Sequence, residues 1–403
     1  MKRQNDFWKG ALIGALAMFI FVIAVVAGTG FVSGTYNFNG GLSKNNVVDR
    51  TFKNKINLMQ SLIDKEYLYS VDQSKVKDEM YQGYIKGLND PYADYYTTKE
   101  MKQLLESTSG EYFGIGAVMS QNPEDRVISI SEVFENQPAA EAGLQNNDVI
   151  VSVDGQSVQN MDLQSVVSKI RGKKNTQVDI TILREGVEGE QKVTATRRKI
   201  LTPTVVSELK PNQIGYIRIV EFDTVTYNQF VEAFTTLQNQ GMQGLVVDLR
   251  NNPGGNLDTV CDMLELLLPK GVMVYTEDKS GNKKEYSGNG NTPFTQPLCV
   301  LVNSNSASAS EIFAGAIQDY GVGELVGTTT YGKGVVQQIH RMEDGSGMKF
   351  TVSQYFTPKG RNINKVGIKP DTVIEYQENK QDEKADNQLD KAMEIINSQI
   401  TAS

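Results

Sequence analysis

Metal-binding and disulfide-forming side chains are scarce: one histidine, His340, and two cysteines, Cys261 and Cys299, in 403 residues. There is no H-E-x-x-H helix and no cluster of cysteine with histidine, so no metal site is expected. Two cysteines do not make the disulfide framework of a small secreted domain, and they read as buried thiols packing as small hydrophobes. No phosphate loop of the Walker kind occurs, so neither a nucleotide nor any other cofactor is expected. Basic residues are also short, with 40 Lys and Arg against 48 Asp and Glu. The net charge of −8 offers no basic face to nucleic acid. The hydrophobic and charged fractions, 39% and 22%, are those of an ordinary globular protein, long enough for two or three domains.

Charge is absent altogether between Lys9 and Lys44. The apolar part of this gap runs from Ala11 to Val32, close to the ~20 residues that cross a bilayer. Lys2, Arg3 and Lys9 precede it, so residues 1–10 stay in the cytoplasm and the rest lies outside. A cleaved signal peptide is the rival reading, with small residues near "VVAG". Its apolar region exceeds the usual ~7–15 residues, which favours an uncleaved single-pass anchor over residues 11–32. Residues 33–46, rich in Gly, Ser and Asn, read as a flexible stalk.

Residues 47–108 form a helical region. Val48, Phe52, Ile56, Met59 and Ile63 fall on one helical face, and Val76, Met80, Tyr84 and Leu88 mark a second helix that ends before Pro91. The two helices are expected to pack on each other or on a partner. From 109 to 200 short β-rich runs, "VISISEVF" and "QVDITILREG", alternate with turns. Two short helices interrupt them: "QPAAEAGL", with Gly143 as its C-cap, and "MDLQSVVSKIRG", with Leu163, Val166, Val167 and Ile170 on one face. This order, with "YFGIG" at its start and "AGLQNNDVIVSVDGQSV" in its middle, resembles a PDZ domain. The resemblance puts Phe113, Gly114, Ile115 and Gly116 in a loop that binds a peptide's C-terminal carboxylate. Glycines let successive N–H groups point into one concavity, and the peptide adds as a strand at the sheet edge.

Residues 201–376 are mixed α/β. "QIGYIRIVEF", "GLVVDLRNN" and "PLCVLVNSNS" read as buried strands, "NLDTVCDMLELLLP" as a helix, and "MKFTVSQYFTP" as a further strand. Residues 377–403 form a charged, helix-prone tail. The strand "PLCVLVNSNS" delivers Ser304, Ser306, Ser308 and Ser310 to the start of an apolar helix. A helix N-terminus favours developing negative charge, so a serine there is a candidate nucleophile with half an oxyanion hole beside it. The competing reading is a capping box, with Ser308 as N-cap and Glu311 three positions on.

The choice turns on a base. His340 lies close to a hairpin turn with no orienting acid in sight, and a structural role suits it better. The other proton acceptor for a serine is a neutral lysine. Lys333 stands between Gly332 and Gly334, and strand alternation would put Lys333, Val335 and Gln337 on one face. A solvated lysine has a pKa of ~10.4, so the role requires burial that disfavours its charge.

"VVDLRNNPGGNLDTV", "SASASEIFAGAIQDY" and "YGKGVVQ", with "DPYADYY", "YFTPKGRNI" and "GIKPD", resemble the carboxyl-terminal processing (tail-specific) serine proteases over residues 50–375. The resemblance implies an α/β, crotonase-like protease core with an inserted PDZ domain. It implies Ser308 as nucleophile, Lys333 as base and Gln337 as the residue that orients the lysine. Ala309 N–H and the backbone of Gly254 or Gly255 would form the oxyanion hole. Protein C-termini would be the partners and substrates, Arg171 would couple PDZ position to the active site, and the amino-terminal helices would admit a homodimer. Two rivals stand against an active Ser-Lys endopeptidase. One is an inert PDZ scaffold, disfavoured by the intact Ser308, Lys333 and Gln337. The other is a trypsin-fold protease, disfavoured by the lone histidine.

Overall fold

The computed structural model describes residues 46–402 apart from 292–293, 379–381 and 383–384; residues 1–10 and 11–32, expected as cytoplasmic segment and anchor, and nearly all of the expected stalk lie outside them. Among the described residues no helix is long and apolar enough to cross a membrane. These residues fall into two bodies, one of 46–101 with 339–350, the other of 102–338 with 351–402.

The smaller body opens with helices Arg50–Glu66 and Gln73–Lys86. Asp49 caps the first by accepting from Phe52 N–H at 2.7 Å, and Asp72 caps the second from Ser74 and Lys75. The expected apolar stripe is present, but the first helix has no buried residue, so Phe52, Met59, Leu62 and Ile63 face solvent. Strand Asp94–Tyr96 pairs antiparallel with residues 347–349. His340 stacks on Phe350 at 4.8 Å, and burial holds its pKa below the usual value, as befits a neutral packing group.

The larger body contains two large sheet systems, and beside them strands Gly271–Asp278 and Lys283–Gly288 pair antiparallel with each other, the former also with residues 353–356. In the first, strands Ala117–Gln121, Ile128–Val133, Val149–Val153, Gln177–Leu183 and Gln191–Thr196 follow one another antiparallel. Val178, Ile180 and Ile182 alternate inward along one strand, the period of a half-buried sheet. Val166 and Ile170 of helix Leu163–Ile170 close the same core. The helix Pro138–Glu141 ends at Ala142, and Gly143 closes it as expected, at φ +85° with its N–H on the Ala140 carbonyl at 3.0 Å. A separate antiparallel pair, Glu111–Gly114 with Arg198–Leu201, brackets the unit.

The second system is a sheet in the order Val205–Lys210, Ile214–Ile219, Gly244–Asp248, Leu298–Val302, Glu324–Gly327 and Thr372–Val373, parallel after its first pair. The two central strands are buried at every residue, which is why they read as continuous apolar runs. Helices Thr226–Asn239, Leu257–Glu265 and Ala309–Tyr320 pack in the large core on one face. Helix Asn387–Ala402 covers the other face with Ala392 and Ile396. Arg250 ties that helix to the sheet through Asp248 at 2.6 Å and Asp386 at 2.7 Å. Because Asp248 pairs with Leu301, the loops that leave these adjacent parallel strands emerge side by side. Both meet at Ser308.

Ile396 is fully buried and presses on Gly244 of the central strand. Ile396→Ala is expected to cost about 2–5 kcal/mol, read as a lowered urea midpoint.

Candidate active site

Ser308 stands where strand turns to helix, at φ 56° and ψ −114°. A non-glycine residue in this region costs about 1–3 kcal/mol and persists only where its surroundings impose it. Here they do so from both sides. The Ser308 N–H donates to Glu311 Oε2 at 2.9 Å, and its carbonyl accepts from Glu311 and Ile312 N–H. Ala309 follows as the first helical residue, so its N–H belongs to the amides without an intrahelical acceptor.

The neighbouring serines are otherwise occupied. Ser306 Oγ donates to the Leu249 carbonyl at 2.7 Å, and Ser310 Oγ donates to the Asn252 carbonyl at 3.0 Å. Ser304 is exposed. Of the four, Ser308 alone lines the small cavity formed by Gly255, Leu257, Ala309, Ile312, Val335, Val336 and Tyr355.

Asn252, fully buried, organises the adjacent loop. Its Nδ2 donates to the Ile219 carbonyl, its Oδ1 accepts from Gly254 N–H at 2.8 Å, and its carbonyl accepts from Ala307 N–H. Of the two glycines expected to supply an oxyanion donor, Gly254 therefore already gives its N–H to Asn252. Both glycines are required by close approach. A Cβ on Gly254 would lie 2.7 Å from Ser308 Cβ and 2.8 Å from Ala309 N, at φ +104°. A Cβ on Gly255, at φ +139°, would collide with the Phe222 carbonyl.

Lys333 is 5% exposed and sits in an irregular segment; the strand Val335–Arg341 begins two residues later. The expected shared face with Gln337 therefore does not extend back to the lysine as strand geometry. Gln337 is buried, and its amide donates to Thr351 Oγ1 at 3.2 Å. What brings Lys333 to Ser308 is Glu311, itself fully buried. Its carboxylate accepts from Ser308 N–H, Thr330 Oγ1 at 2.6 Å, Gly332 N–H at 2.7 Å and Lys333 N–H at 2.8 Å. Burial pushes its pKa up and these four donors pull it back; four donors on two oxygens suit the ionised form. Opposite, the Tyr355 hydroxyl lies 3.1 Å from the Ser308 carbonyl and close to that of Lys333. Glu311 was legible only as a cap, and Tyr355 only as part of a strand.

Beside the glycine loop, Glu221 and Asp223 flank Phe222, whose N–H and carbonyl hold Gly254 and Asn256. Burial raises both carboxyl pKa values, and each proton lost makes the other harder to remove. Away from this centre, Gly114, Ile115 and Gly116 line a groove with Tyr112, Met119, Val167, Ile170 and Arg171. Phe113 is exposed on the preceding strand. The Arg171 guanidinium lies over the Tyr112 ring at 4.4 Å and 3.4 Å from Glu106. Among the described residues no acidic, histidine or cysteine cluster suits a metal.

Comparison with known proteins fits this geometry. Residues 213–374 match the model of peptidase family S41, and residues 129–184 match a PDZ domain. The carboxyl-terminal-processing protease of Synechocystis is 39% identical over 72% of this chain and 68% of its own length. The carboxy-terminal processing protease CtpA of Bacillus subtilis is 36% identical over 89% of this chain and 77% of its own. The solved structure of a photosystem II D1 C-terminal processing protease, 30% identical, aligns over 81% of this chain and 89% of that one with a TM-score of 0.47.

The carboxyl pair yields a stability prediction. Glu221 and Asp223 hold their protons in the folded state to higher pH than in the unfolded chain. Their contribution is complete below the ordinary carboxylate range and is lost as pH rises through the raised values. Asp223→Asn should therefore unfold at a higher temperature than the parent at about pH 9, with the gap closing near about pH 4.

Proposed function

Since this chain belongs to the S41 carboxyl-terminal processing proteases, serine-type peptidases with a PDZ domain, we propose that it cleaves with a Ser308–Lys333 dyad. The observation that carries this reading is the double tether of Glu311 and Tyr355, which joins the main chain of one buried lysine to that of one strained serine. Neutral Lys333 takes the Ser308 Oγ proton while Oγ attacks the scissile carbonyl carbon. Ala309 N–H and Gly255 N–H receive the oxyanion, Gly254 N–H being committed to Asn252. The lysine ammonium then protonates the leaving amine, and water, giving its proton to the lysine, hydrolyses the acyl-enzyme. Gln337 supports the lysine segment from the following strand. The role requires burial that disfavours the ammonium form, and Lys333 is buried.

The groove at Gly114–Gly116 takes a substrate's apolar C-terminus, and Arg171 relays its arrival through Tyr112 and Glu106. The apolar run Ala11–Val32 anchors the chain with the protease outside the cytoplasm. The uncovered apolar faces at residues 50–88 meet a second copy as a homodimer.

Two sets of measurements check this. Ser308→Ala and Lys333→Arg abolish casein cleavage at unchanged fold, because arginine does not give up its proton. Ser306→Ala and Ser310→Ala still turn over, each less stable by about 0.5–1.5 kcal/mol for one lost hydrogen bond, since the Leu249 and Asn252 carbonyls keep the amide donors Asn252 N–H and Ala307 N–H. A wild-type rate in Lys333→Arg, or an active Ser308→Ala, rules the dyad out. For the relay, Arg171→Ala should retain basal cleavage and lose its stimulation by an apolar C-terminal peptide. Undiminished stimulation counts against it.

A further inference from the structure

Tyr355 is among the largest side chains buried in the molecule, at 1% exposure, and its hydroxyl is aimed at main-chain atoms of both proposed dyad residues. The strand that carries it is fixed. Thr276 pairs with Tyr355 and Tyr275 with Phe356, while Tyr355 N–H donates to the Gly334 carbonyl at 3.1 Å. Thus the backbone of Tyr355 holds the residue after Lys333, and its side chain holds Lys333 itself. Its ring also walls the cavity at Ser308.

The two carbonyls are not equivalent. That of Ser308 already accepts from Glu311 N–H at 2.8 Å and Ile312 N–H at 3.0 Å. A phenol has one proton to donate, and the Ser308 carbonyl already has two amide donors. The hydroxyl therefore serves the lysine's main chain while resting against the serine's. Glu311 joins the same two residues through their amides. Removing Glu311 would also strip a capping carboxylate from the helix and leave a buried threonine hydroxyl without its acceptor. Removing the Tyr355 oxygen leaves both of those groups in place and takes a hydroxyl from the dyad carbonyls.

We infer that Tyr355 is a positioning residue for proton transfer in the proposed dyad: its hydroxyl, set between the Ser308 and Lys333 carbonyls, fixes how the lysine segment faces the serine. This rests on the Ser308–Lys333 reading. A displacement of the base by a fraction of an ångström to an ångström is enough to cost orders of magnitude in rate.

The test is Tyr355→Phe in the full chain, with steady-state cleavage of a peptide substrate across pH. We expect kcat to fall about 10- to 100-fold with KM nearly unchanged. The ascending limb of kcat/KM against pH should also move, because the base's surroundings change; loss of structural stability alone would not shift that limb. A kcat within about twofold of the parent and an unmoved limb overturn the inference. Thermal unfolding and circular dichroism report whether Tyr355→Phe folds. Should it not, site-specific 3-fluorotyrosine at 355 keeps the ring and hydroxyl while making the phenol a stronger donor; a shifted limb then supports the role, and a superimposable profile overturns it. Lys333→Ala, run alongside, separates the two failures. If it keeps the parent's turnover and profile, the dyad reading itself falls and takes this inference with it. If it is inactive while Tyr355→Phe behaves as the parent, only the role of Tyr355 falls.

Discussion

The site depends on one buried carboxylate. Taking an isolated carboxylate out of water costs several kcal/mol even after the surroundings relax. Glu311 offsets that cost with donors from three places: the serine turn, Thr330, and the Gly332–Lys333 segment. It also lies in the first turn of its helix, where the dipole favours negative charge. The same four bonds that make the charge tolerable leave the turn and the lysine segment no freedom to shift independently. The unusual backbone of Ser308 is sustained by the same contacts. Charge burial, backbone strain and site geometry are thus one energetic unit.

A second layer of neutral hydrogen bonds holds the glycine loop to that unit. Asn252 spends its side chain on Ile219 and Gly254 and its carbonyl on Ala307 and Ser310. Ser306 reaches back to Leu249 in the same loop. The serine cluster therefore divides its labour by geometry. Two hydroxyls lash the two loops together, and the hydroxyl at the turn between them is set beside the cavity. The arrangement works because the two loops leave neighbouring parallel strands, whose pairing at Asp248 and Leu301 fixes the distance they must bridge.

Much of this was legible in the sequence, and the limit has a physical form. Signals that repeat along the chain were read correctly in kind: the continuous apolar runs of Gly244–Asp248 and Leu298–Val302, and the amphipathic stripe of Arg50–Glu66. The stripe did not tell that its apolar face would be left open. Gly143 closes the short helix as read, because a left-handed position just past a helix end suits glycine. Contacts between a side chain and a distant backbone leave no periodic trace. Glu311 and Tyr355 serve Lys333, and Asp386 serves Arg250, only because the fold brings them together. Lys333 and Gln337 were expected on one strand face, whereas the strand starts at Val335 and the lysine is placed by tertiary contacts instead.

These contacts also bear on how a lysine would replace a histidine as base in the proposed dyad. An imidazole has two nitrogens, and a third group must fix its tautomer and its orientation. An amine has a single nitrogen and no tautomers, so no orienting acid is needed at its tip. What it needs is a fixed origin for a flexible four-carbon stem and a site dry enough to disfavour its charge. In the proposed dyad, Glu311 and the Tyr355 hydroxyl would supply the origin through the lysine's own amide and carbonyl, and the low exposure of Lys333 would supply the dry site. On the proposed reading, the acid that a triad spends on its base is spent on the backbone. A chain with one histidine, packed on Phe350, loses nothing by that exchange.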